Sequence, residues 1–102
     1  MTINEFLNEL DWSKFRVYGA SEDSRPMIRD EQNRCPICAF AGLGGEHNWG
    51  APHIGIHHGL SEDDTITIIE AADCSIAELE DRNIPRQAEL RREMLSRMGV
   101  TE

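Results

Sequence analysis

Lysine is almost absent from this chain. Lys14 is alone among ten basic residues; the other nine are arginine, set against nineteen acids, and the net charge is −9. Proteins that grip phosphate backbones do so with lysine and arginine in excess. The charge therefore argues against direct binding of DNA or RNA. Cysteine is also scarce, and its count of three is odd. That fits reduced thiols better than a disulfide framework. No apolar run approaches the roughly 20 residues that cross a bilayer. The N-terminal Met1-Thr2-Ile3-Asn4-Glu5 is acidic and lacks the basic-then-apolar layout of a signal peptide. These absences predict a cytoplasmic protein without membrane contact. At 102 residues the chain makes one domain, 1–102, with a thin stability margin.

What is present begins with a capping box. Thr2 and Glu5 start a helix whose stripe is Ile3, Phe6, Leu7 and Leu10. Asp11-Trp12-Ser13 ends it. Phe15-Arg16-Val17-Tyr18 reads as a short strand stopped by Gly19. Residues 19–34 are polar and suit a surface loop, with one β-segment around Met27-Ile28. Residues 61–73 read two ways. Ser61 and Asp64 signal a helix start, whereas Thr65-Ile66-Thr67-Ile68-Ile69 is β-branched. Helix is the expectation, with Ile66, Ile69 and Ala72 on its inner face. Ser75 and Glu78 begin a short helix to about Asp81. Pro85 opens the last one, striped by Ala88, Leu90 or Arg91, Met94, Leu95 and Met98 and stopped at Gly99. The fold class expected is α+β and α-rich: three or four helices, a short strand and a Gly/His-rich loop.

That loop carries the chemistry. Residues 35–59 hold six of the eight glycines and all four histidines. Glycine at this density opposes regular helix beyond a turn or two. A loop longer than about 15 residues needs an organiser. Cys35 and Cys38 bracket Pro36-Ile37; fourteen residues later comes His53, and three further on His57. Two thiolates and two imidazoles at this spacing suit tetrahedral zinc. The predicted metal ligands are Cys35, Cys38, His53 and His57, with His58, His47 and Cys74 as substitutes. A structural zinc would be a large term here, on the order of 10 kcal/mol. The competing reading makes the two cysteines small buried hydrophobes near a helix start. Phe40 and Trp49 packing on the core would then organise the loop.

The surroundings exclude a DNA-reading finger, because 35–59 contain no lysine or arginine. Ile54 and Ile56 alternate about Gly55 as in an extended segment, not a recognition helix. Neither the deaminase order nor H-E-x-x-H occurs. Cys74, beside acids, reads as a small buried residue; Trp12 and Trp49 read as core. The arginines are expected to pair with the abundant local acids.

Cys35-Pro36-Ile37, Gly59-Leu60-Ser61, Ile69-Glu70-Ala71-Ala72-Asp73, Leu90-Arg91-Arg92-Glu93-Met94-Leu95 and Met98-Gly99 together are similar to small uncharacterised proteins of bacterial and phage genomes. The resemblance implies a phage- or prophage-borne accessory protein and lends no activity or site. The functional expectation is a non-enzymatic, zinc-stabilised acidic module that binds a basic protein partner. Its candidate contact acids are Glu22, Asp23, Asp30, Glu31, Glu62, Asp63 and Asp64. Two alternatives stand beside it. One is a nucleic-acid mimic that occupies a basic groove. The other is a small zinc hydrolase or nuclease using Glu46, His47 or His58.

Overall fold

A computed structural model describes residues 1–19, 26–43 and 51–100, without the side chains of residues 51 and 52. Six α-helices and one two-stranded sheet appear among them. Helix α1 spans Ile3–Glu9, with the Thr2–Glu5 capping box formed in both directions. A 3-10 turn at Trp12–Lys14 leads into β1, Phe15–Tyr18, which pairs antiparallel with β2, Met27–Asp30. Both β expectations hold. Then come α2 (Pro36–Phe40), α3 (Ala51–His57), α4 (Glu62–Asp73), α5 (Ile76–Asp81) and α6 (Pro85–Met98). The fold is thus α-rich α+β, with more helices than the three or four expected.

The extra helices, α2 and α3, lie in the glycine-rich stretch and run five and seven residues, within the turn or two that its glycines allow. Glycine ends these helices instead of preventing them. Gly42 and Gly59 adopt φ of 72° and 96° just past α2 and α3. In that left-handed geometry each chain end folds back on its helix. Leu43 N–H donates to Cys38 O, and Leu60 N–H to Gly55 O, both at 3.0 Å. The His53–His57 segment, expected to be extended, lies within the seven-residue helix α3.

Helix is also the outcome over 62–73. The Ser61 hydroxyl accepts the Asp64 amide. The threonines escape the strand preference by bonding back one turn: Thr65 Oγ1 donates to Ser61 O and Thr67 Oγ1 to Asp63 O, each at 2.8 Å. The buried face differs from the expected one. Thr65, Ile68, Ala71 and Ala72 are buried, while Ile66 is 42% exposed.

The main core gathers Phe6, Leu7, Trp12, Phe15, Ile28, Ile37, Ile68 and Met94, among others. Trp12 lies inside it, its indole N–H donating to Leu7 O at 2.7 Å. A smaller cluster of Cys74, Leu79 and Ala88 sits under α5. Arg91 lies in the interior of α6 with no exposed surface. Its guanidinium donates to Ala71 O and Ala72 O at 3.0 Å and to Pro26 O at 2.6 Å. A cation thus meets the negative end of α4.

Candidate functional site

The cysteine pair is delivered by a turn that Asp30 builds. Its carboxylate accepts the amides of Gln32 at 2.9 Å and Arg34 at 2.8 Å, and pairs with Arg34 Nε at 2.7 Å. Asn33, at φ 60°, completes the reversal. Asp30 was expected among the surface contact acids; it is buried, and its work is local. Cys35 follows immediately as the N-cap of α2, with Pro36 in the first turn. The Cys35 Sγ accepts the Cys38 amide at 3.4 Å. Both thiols are within 2% of full burial. Burial pushes the Cys38 thiol above its ordinary range, opposed by the hydrogen bond with Cys35 and by the guanidiniums of Arg29 and Arg34.

The predicted histidines lie elsewhere. His53 and His57 are exposed, one helical turn apart on α3. His58, just after the helix, is also exposed and meets the Phe40 ring edge-on at 5.7 Å. His47 and Glu46 lie outside the described residues, as does Trp49. Cys74 is buried in the smaller cluster, its Sγ accepting from Arg82 Nη1 at 3.4 Å. Among the described residues, no three Cys, His, Asp or Glu side chains converge where an ion could be held. The structure thus brings Cys35 and Cys38 together and does not bring His53 and His57 to them.

Helix α3 is held close to α4. A Cβ on Gly55 would stand 2.5 Å from both Cγ2 and Oγ1 of Thr65. Only glycine lets the two helices approach so closely. In the sequence Gly55 stands between two isoleucines and reads as part of an extended segment, with no sign of the residue it faces on α4.

The charged surface follows the expected pairing. Arg29 bonds Asp73 at 2.8 Å, and Arg86 reaches Asp63 at 3.0 Å and Asp64 at 2.5 Å. Arg82 lies beside Glu70 and Glu78, Arg92 pairs with Glu80, and Arg97 with Glu93. Comparison with family models, curated proteins and solved structures returns no match. Geometry and charge must carry the functional reading. Asp63 and Asp64, expected as contact acids, are engaged by Arg86. Glu31 and Glu62 are exposed and make no ion pair among the described residues; neither do Glu9, Asp81 and Glu89. Glu22 and Asp23 lie outside the described residues.

Proposed function

We propose that this chain is a small, non-enzymatic acidic module that binds a basic protein surface. One observation carries the reading: among the described residues most of the arginines are engaged by the chain itself, and only Lys14 and Arg16 stand exposed outside the ion pairs. Six arginines sit in ion pairs and Arg91 is buried on carbonyls, so the acids left over face solvent. A field of one sign at the surface steers a partner of the opposite sign and raises its association rate.

The test is affinity capture with the whole chain, followed by titration of the captured partner at rising ionic strength. The expected partner has a basic surface, and its association rate falls about tenfold or more as salt screens the field. Charge reversal at Glu31, Glu62 and Glu89 together slows association in the same way. An association rate indifferent to both salt and these charges would sink the reading.

Zinc remains a second proposal, favoured by one feature. An N-cap thiol that accepts an amide from the next thiol-bearing residue presents sulfur ready to ligate. In this proposal Cys35 and Cys38 supply the thiolates, and the histidines of the 47–58 stretch complete the shell. Metal analysis of the purified chain decides it. One zinc per chain, lost in both Cys35→Ser and His53→Ala, is the expected result. A metal-free chain with an intact fold would leave the cysteines as core residues.

A further inference from the structure

We propose that Cys35 and Cys38 form a reversible intramolecular disulfide, making the start of α2 a redox-sensitive clasp. This inference is independent of the acidic-module reading. The two residues are separated by Pro36 and Ile37, the spacing that dithiol–disulfide motifs use. Extended backbone at Cys35, φ −68° and ψ 162°, turns its Sγ back over the first turn, onto the Cys38 amide at 3.4 Å. The same cap geometry at α1 shows what the third helical residue does. There the Glu5 side chain returns to the Thr2 amide while Thr2 accepts from Glu5. At α2 both box positions carry thiols, so the box that closes by hydrogen bonds at α1 can close covalently at α2.

The surroundings select the pair over the third cysteine. Cys35 and Cys38 share the main apolar cluster, whereas Cys74 belongs to the smaller one. Cys35, the N-cap whose sulfur lies back over the first turn, is the attacking thiol and Cys38 the resolving one. The oxidant is a small dialkyl disulfide of the glutathione class. Cys35 thiolate attacks one of its sulfurs and releases one glutathione thiolate, giving a mixed disulfide. Cys38, deprotonated, then attacks the Cys35 sulfur and releases the second. One S–S bond is made and one is broken; the two protons and two electrons from the protein leave on two glutathione thiols. Because both sulfurs are buried, the rate follows local opening of the five-residue α2 and not global unfolding.

The experiment incubates the native chain with oxidised and reduced glutathione at graded ratios, with and without a zinc chelator. Acid quenching, alkylation under denaturing conditions and peptide mass mapping follow. The expected product is a single peptide, lighter by two hydrogens, linking Cys35 to Cys38, while Cys74 stays alkylatable. Cys74→Ser keeps this product, and Cys35→Ser and Cys38→Ala both lose it. Product that appears only after chelation shows that zinc guards the same sulfurs, and still supports the clasp. Two thiols that remain fully alkylatable at every ratio in the chelated chain would overturn it, as would a stable glutathione adduct or a bond to Cys74.

Discussion

Arg91→Met lowers the stability of the folded chain by about 3–5 kcal/mol, the largest effect expected of any single substitution discussed. Methionine fills a similar volume but donates nothing, so the Ala71, Ala72 and Pro26 carbonyls lose the guanidinium that meets them. Leaving buried acceptors unpaired costs about 1–3 kcal/mol each. Against a total of about 5–15 kcal/mol, this is a large share. The melting midpoint falls by roughly 15 °C or more. Arg91→Lys recovers less than half of the loss, because a single ammonium cannot fork across carbonyls from two segments. Urea unfolding of the three proteins reads all of this. A methionine variant within about 1 kcal/mol of the parent would show that the guanidinium only breaks even with its desolvation.

Gly55→Ala is the second large effect, and its sign runs against helix propensity. In an exposed helix interior, alanine in place of glycine gains about 1 kcal/mol. Here the new methyl meets Thr65 Cγ2 and Oγ1 at 2.5 Å. Thr65 cannot easily turn away, because it is fully buried and its hydroxyl is committed to Ser61 O. The helices must separate, and overpacking of this kind costs about 1–3 kcal/mol. The double variant Gly55→Ala/Thr65→Ala removes both clashing atoms. It is expected to be more stable than the sum of the single effects predicts, with a coupling of about 1 kcal/mol or more. Additive effects in that cycle would mean that α3 rides on α4 more loosely than the contact implies.

How much of this was legible in the residues depends on range. The caps at Thr2, Ser61 and Ser75, the strand at 15–18 and the stop at Gly99 were readable because each is decided within one turn of chain. The β-branched run at 65–69 was harder. Its outcome turned on threonine hydroxyls bonding back to the helix, a local option that propensity alone does not record. The segment 51–57 reads as extended because Ile54 and Ile56 alternate about Gly55, and Gly59 just beyond it adds to the glycine density. Gly59 is a terminator, and Gly55 is a spacer whose reason lies on another helix. Arg91 occupied an apolar stripe with no local cue to its burial. Its acceptors come from residues 26, 71 and 72, distant in the chain. Asp30 looked like one loop acid among several, since nothing nearby announced that it would organise the turn into Cys35. The metal pattern was legible as spacing, but spacing says nothing of orientation. The thiols turned inward and the α3 imidazoles outward.

The two apolar clusters have a consequence for cooperativity. Helix α6 belongs to both, with Ala88 in the small one and Leu90, Met94 and Leu95 in the large one. The small cluster has three buried side chains, too few to hold a unit of its own. The body of α5 beyond Ile76, which packs against the main cluster, is therefore expected to exchange its amide hydrogens ahead of global unfolding, and native-state hydrogen exchange checks this. The other flank of the small cluster is α6, which stays anchored by its second half. The edge at α5 is thus expected to exchange first, beside a helix that stays protected.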